Sequence, residues 1–264
     1  MSLRLGLIGW GAIGQAVAPL LADYPIEIVS VGVRDRSIER IGLPSGAALI
    51  DDPAELAATR PVVVAEAAGR ASVEPWGKAA LEASADFIVS SVSAFADEAL
   101  LTSLQATATQ NESSIHIQPG AVAGVDALAA ARLMGIDTVE HRMVKPPQAW
   151  LATPAEDLCD LGGLTEPTEF FQASAAETAT AFPKNANVAM TTALAGIGPT
   201  KTTVTLVADP TATTNRHEIH AQGAFGELNV VVANNPLPSN PKTSAMAALS
   251  LVRAIHHRVD TLII

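Results

Sequence analysis

The chain has a single cysteine, Cys159, in 264 residues. An internal disulfide is excluded, and the low count fits a reducing compartment. Aromatic residues make up only 4%, while apolar residues reach 48%. Ala and Val therefore carry much of the core, a composition suited to helices packed on a parallel sheet. Basic residues are scarce, with 16 Lys and Arg against 27 Asp and Glu, a formal charge of −11. Such a field argues against nucleic acid and anionic membranes as partners. It also demands local cationic groups wherever an anionic small molecule binds. No apolar run approaches the length of a membrane span. The first apolar segment is too short and too glycine-punctuated for a secretion signal. These absences predict a soluble cytoplasmic protein, and the length suits one large domain or two modest ones.

What is present begins at Gly9-Trp10-Gly11-Ala12-Ile13-Gly14, a G-x-G-x-x-G run. Leu3 to Ile8 before it reads as a strand. Ala12 to Leu21 after it reads as a helix with Ile13, Val17, Leu20 and Leu21 on one side. Strand, glycine turn and helix form the first unit of a dinucleotide-binding fold. Gly9 permits the turn, Gly11 lets a pyrophosphate approach the backbone, and Gly14 lets the helix pack closely. The helix start at Ala12 and Ile13 offers free N–H groups to phosphate. The same glycines would also serve a bare strand–helix turn. At the end of the second strand, Arg34-Asp35-Arg36 presents both signs. An acidic residue there favours NAD through the ribose 2′-OH, and an Arg favours NADP through the 2′-phosphate. Arg34 and Asp35 together predict use of both cofactors.

Strands at Ile26–Val33, Pro61–Ala65, Asp86–Val89 and Ser114–Ile117 alternate with helical segments at Pro53–Ala58, Val73–Ala83 and Asp97–Thr107. Alternation of this kind predicts a doubly wound parallel sheet, the Rossmann class of α/β fold. Pro119-Gly120 breaks the rhythm. Beyond it the pattern predicts helices at Asp126–Leu133, Ser174–Phe182 and Val188–Leu194. Strands are predicted at Thr138–Lys145, Thr168–Ala173 and Thr202–Ala208, with a hairpin of His217–Gln222 and Glu227–Val232. This middle part reads as a second α+β domain containing an antiparallel sheet. A helix at Ser244–Ile255, capped by Thr243 or Ser244, and a strand at Thr261–Ile264 would return to the first domain. The expected division is 1–119 plus 240–264 for dinucleotide binding and 120–239 for substrate.

Five later segments carry a resemblance: Pro119 to Leu128, Lys145 to Trp150, Phe182 to Ala189, Ala208-Asp209-Pro210 with Asn215 to Ile219, and Asn240 to Ser244. With the N-terminal glycines they resemble the L-aspartate dehydrogenase family over nearly the whole chain. The resemblance implies NAD(P)-dependent oxidation of L-aspartate to iminosuccinate, or the reverse reductive amination. The imine would hydrolyse to oxaloacetate and ammonia or feed NAD biosynthesis. It also implies a homodimer, places the catalytic histidine at His217, and places nicotinamide-side contacts at Ala121 and Asn187. Two segments depart from the family pattern. Glu66-Ala67-Ala68-Gly69-Arg70 replaces Glu-Cys-Ala-Gly-His, and Ser91-Val92-Ser93-Ala94-Phe95 replaces Ser-Val-Gly-Ala-Leu. They keep open a related dicarboxylic substrate, with Arg70 as a carboxylate ligand. A non-catalytic NAD(P)-binding regulator is a further alternative.

Histidine suits proton exchange near neutrality, so His217 is the candidate acid–base group; the bland alternative is a surface histidine in a polar loop. On a strand, His217 and His220 point to opposite faces and form no joint metal site. Cys159, His116, His141, His256 and His257 show no ligand spacing, so no metal is expected. Lys145, Lys184 and Arg142 are cationic candidates for the substrate carboxylates. Asn187 could contact the nicotinamide or merely cap a helix.

Overall fold

The computed structural model describes residues 2–183 and 185–263, without the side chains of Pro241 and Lys242. It divides into two compact units, 1–118 with 247–264, and 119–246.

The first unit holds β1 (Leu3–Ile8), α1 (Ala12–Leu20), β2 (Ile26–Gly32), β3 (Ala48–Ile50), β4 (Val63–Glu66), α2 (Arg70–Glu82), β5 (Asp86–Val89), α3 (Glu98–Gln110) and β6 (Ile115–Ile117). All its strand pairs are parallel, in the order β3-β2-β1-β4-β5-β6. This is the Rossmann order, with the sheet growing outward in both directions from β1. The central strands read as near-continuous apolar runs because both faces are covered. Leu5, Leu7, Val31, Ala65 and Ile88 pack with Val17 of α1 into one buried cluster. The short turn Pro53–Thr59 is 3-10 helical, and the Asp52 carboxylate accepts from the Ala54 N–H at its start.

The second unit holds α4 (Val125–Ala131), β7 (Ile136–Lys145), β8 (Thr168–Ser174), α5 (Ala175–Ala181), α6 (Asn187–Ala195), β9 (Thr203–Ala208), β10 (Asn215–Gly223), β11 (Gly226–Asn234), β12 (Pro236–Leu237) and β13 (Asn240–Ser244). The sheet order is β11-β10-β7-β9-β8. The expected hairpin is β10–β11. The sheet is mixed rather than wholly antiparallel, because β7 and β9 run parallel. Ser174 and Glu177 form a reciprocal capping box that starts α5.

α7 (Ala245–His256) follows, and its Ala248, Leu251, Val252 and Ile255 complete the first unit's core at helix spacing. Ser244 does not cap it: the residue sits in β13 opposite Pro236, and its hydroxyl is buried without a hydrogen-bond partner. The strand expected at Thr261–Ile264 is absent over residues 261–263, where Leu262 and Ile263 are exposed and pair with nothing. Ile264 lies outside the described residues. No described helix is long and apolar enough to cross a membrane.

Gly14 brings α1 directly against the turn before it. A Cβ on Gly14 would lie 2.2 Å from the Gly9 carbonyl oxygen. Gly14→Ala should therefore lower the unfolding free energy by about 1–3 kcal/mol in urea denaturation. An unchanged midpoint would contradict this packing.

Candidate active site

In the first unit the chemistry gathers at the carboxyl ends of the parallel strands. β1 ends at Ile8 and the chain turns through Gly9, whose φ is +102°. A side chain there would meet the Ala67 carbonyl at 2.7 Å, so only glycine fits. Gly11 has nothing within 4 Å of its missing Cβ. It stands at the N-cap of α1 with no side-chain cap, which leaves first-turn N–H groups for a ligand. Ala12 and Ile13 form that first turn, and Ile13 packs against the sheet core. Gly9, Gly11, Arg34, Asp35, Arg40 and Arg70 all line one cleft of about 840 Å³. An open glycine backbone, an uncapped helix start and a cationic wall fit a dinucleotide.

The mixed-sign stretch after β2 resolves into distinct roles. The Asp35 carboxylate accepts from the Ser37 N–H at 2.8 Å and hydroxyl at 2.6 Å. Arg36 is held by Asp51 at 2.6 Å and by Glu55 at 2.7 Å. The Arg34 guanidinium has no hydrogen bond or ion pair among the described residues, and it is exposed in the cleft. Arg70 opens α2 on the same wall, likewise exposed.

Glu66, which spacing alone did not single out, organises the neighbouring loops. It is fully buried at the end of β4. One carboxylate oxygen accepts from the Ala68 and Gly69 N–H groups and from the Ser72 and Ser91 hydroxyls. The other accepts from the Ser91 N–H at 2.9 Å. Donors rather than a cation compensate this buried charge. They tie together the two segments that depart from the family pattern.

In the second unit, strand alternation places His141, Met143 and Lys145 on one face of β7. His217 of β10 lies in register opposite Met143. His141 and Lys145 are therefore its diagonal neighbours, a distance that long side chains span. His217 is 4% exposed, which excludes the surface-loop reading. Its Nδ1 lies 3.1 Å from His141 Nε2, and His141 Nδ1 lies 3.0 Å from the Thr192 hydroxyl on α6. Burial drives the His141 pKa down to about 3. Burial first, then His141 and Lys145, hold His217 well below the usual histidine range. Both rings are neutral at neutral pH.

Lys145 is 9% exposed. Its ammonium donates to Asn185 Oδ1 at 2.6 Å and lies 4.8 Å from the centre of the Trp150 ring. No carboxylate pairs with it among the described residues. Burial lowers its pKa to about 8, so it is charged at neutral pH but held at a cost. An ammonium buried without an ion pair beside a neutral imidazole is an arrangement that could receive a carboxylate.

Arg142 lies on the opposite face, engaged by Glu169 and Glu218, and is not available to a substrate. His220 also faces away from His217 and meets Glu227 at 3.2 Å. Asn187 is the first residue of α6, while Ala186 holds the cap position, so Asn187 is not the cap. Ala121 is buried, and its carbonyl accepts from Asn234 Nδ2 at 2.8 Å. Lys184 lies outside the described residues. Among those described, no three His, Cys, Asp or Glu side chains gather as a metal site. The His217–His141–Thr192 connection escaped sequence reading because His141 lies 76 residues from His217 and 51 from Thr192.

Comparisons with known proteins cover the same ground. The family model "Aspartate dehydrogenase, C-terminal" matches residues 126–258, and "Homoserine dehydrogenase, NAD binding domain" matches residues 9–118. An L-aspartate dehydrogenase of Brucella anthropi is 53% identical, covering 100% of this chain and 99% of its own. One from Acinetobacter baumannii is 39% identical, covering 98% of each. The crystal structure of aspartate dehydrogenase from Thermotoga maritima shares the fold, with a TM-score of 0.78 at 24% identity over 100% of this chain and 99% of that one. The chain belongs to the L-aspartate dehydrogenase family.

Proposed function

We propose that the protein catalyses NAD(P)-dependent oxidation of L-aspartate to iminosuccinate and the reverse reductive amination. The observation that carries this reading is the unpaired, buried Lys145 ammonium beside the neutral, buried His217. A dicarboxylic amino acid supplies the missing counter-charge, and Lys145 takes one of its carboxylates. The first unit is the dinucleotide-binding domain, and the second supplies the substrate and acid–base groups. Gly9, Gly11 and Gly14 with the start of α1 hold the pyrophosphate, and Ala121 and Asn187 meet the nicotinamide side. The bound nicotinamide supplies a hydride acceptor at its C4.

His217 handles the proton. Loss of hydride from Cα requires the nitrogen lone pair, so the substrate ammonium must first give up a proton. A neutral imidazole accepts it. In the hydrolytic branch, His217, its first proton released to solvent, takes a proton from the water that attacks the iminium carbon. It returns that proton to the nitrogen of the resulting carbinolamine; the C–N bond then breaks, the hydroxyl gives up its proton, and ammonia and oxaloacetate are left. Arg34 is the free cation for a 2′-phosphate, while Asp35 is engaged by Ser37. NADP and NAD are both used, with Arg34 favouring NADP. Arg70 is a second cation for an anionic ligand group. The family resemblance further supports a homodimer in the cytoplasm.

Purified protein with L-aspartate and either cofactor should produce the reduced cofactor's absorbance, and His217→Ala should abolish it. Absence of turnover in both directions would refute the proposal. Arg34→Ala should raise KM for NADP about tenfold and leave KM for NAD within about twofold; equal effects would contradict its role. Lys145 couples function to stability with a definite sign. Its folded pKa of about 8 lies below the ordinary 10.5. Between those values the unfolded chain binds more protons, so stability rises with pH across that window. At pH 7 the buried charge costs on the order of 3 kcal/mol. Lys145→Met should therefore raise the urea midpoint at pH 7 and lower kcat/KM for aspartate about a hundredfold. A destabilised or fully active variant would contradict this.

A further inference from the structure

We propose that His141 and Thr192 are positioning residues that hold His217 in one tautomer, protonated on Nδ1, leaving Nε2 as its basic nitrogen. The inference rests on the aspartate dehydrogenase reading for its kinetic consequences and on the hydrogen-bond chain alone for the tautomer.

The chain starts from a hydroxyl that owns one proton. Thr192 Oγ1 donates to the Val188 carbonyl one turn back on α6, at 3.0 Å. With that proton on the carbonyl, the ring is the donor across the 3.0 Å contact between His141 Nδ1 and Thr192 Oγ1. His141 is neutral and has only one N–H. Its Nε2 is therefore an acceptor, and the 3.1 Å contact to His217 is a donation from His217 Nδ1. His217 is neutral in turn, so Nε2 keeps its lone pair, and no protein group bonds to it among the described residues. Reversing every bond would place the proton on Nε2 and offer substrate a donor where a base is needed.

His141 also differs from the carboxylate that commonly orients a catalytic histidine. A neutral ring orients without adding negative charge, so the His217 imidazolium formed after proton transfer gains no ionic support. The titratable groups acting on His217 are His141 and Lys145, and both disfavour its charged form. The result is a base that returns its proton readily, which suits a reaction run in both directions.

Two-dimensional 15N–1H correlation of the imidazoles in the full-length protein reads the tautomer without turnover. The expected result is protonated Nδ1 and bare Nε2 for both His217 and His141, with the His217 pattern lost in His141→Leu. Thr192→Val should lower kcat about tenfold with KM for aspartate within about twofold, and Thr192→Ser should restore most of kcat. A wild-type His217 protonated on Nε2 overturns the proposal, as does a Thr192→Val enzyme with wild-type kcat. Should Thr192→Val fail to fold, the wild-type tautomer decides. A wild type inactive on aspartate but carrying the expected tautomer would refute the substrate reading and leave the relay standing.

Discussion

A buried ammonium without a carboxylate sets the terms for the second unit. Lys145 is bound by an amide oxygen and an aromatic face, neither of which neutralises it. A charge left in this state costs stability, and a fold retains it only where something else compensates. Burial first, then His141 and this same charge, depress the proton affinity of His217. One arrangement thus sets a buried positive charge beside a neutral imidazole, the pair that the proposed function uses as anion receptor and base. Strand alternation alone brings it about, since His141, Met143 and Lys145 share a face and His217 lies across from Met143.

Glu66 shows the opposite solution to the same problem. Its buried carboxylate is saturated by backbone N–H groups and serine hydroxyls, and no ligand is needed to complete it. It is a clasp for the loops after β4 and β5. A buried charge saturated by hydrogen bonds fixes structure, whereas one without full compensation costs stability. Applied to the stretch after β2, the same distinction separates Arg36, locked by Asp51 and Glu55, from Arg34, which has no such partner among the described residues.

The first unit was largely legible in the sequence because its signals are local. The spacing of Gly9, Gly11 and Gly14 between an apolar strand and an amphipathic helix identifies β1 and α1. Runs such as Val63-Val64-Ala65 mark strands covered on both faces. β3 spans only Ala48–Ile50, too short to show a period. The β12–β13 hairpin, which carries Pro236 and Pro241, shows no alternation either. Leu262 and Ile263 mimicked a strand through apolarity alone, with no neighbour to pair with. His217 was singled out by resemblance and residue chemistry, and its burial was not legible. His141 looked idle because its partners come from other elements, and no spacing along one chain segment encodes a contact across strands. The burial of Lys145 was hidden for the same reason.

Proton linkage on ligand binding tests the role of Lys145 most directly. Succinate is a dicarboxylate that does not titrate near pH 8 and has no amine to oxidise. Its binding to the NADP-saturated protein can be followed calorimetrically at pH 8 in buffers of different ionisation enthalpy. A carboxylate on a half-protonated Lys145 should draw in about half a proton per site, and Lys145→Met should abolish that uptake. Binding with no proton change, or with proton release, would contradict the assignment of Lys145 as the carboxylate receptor.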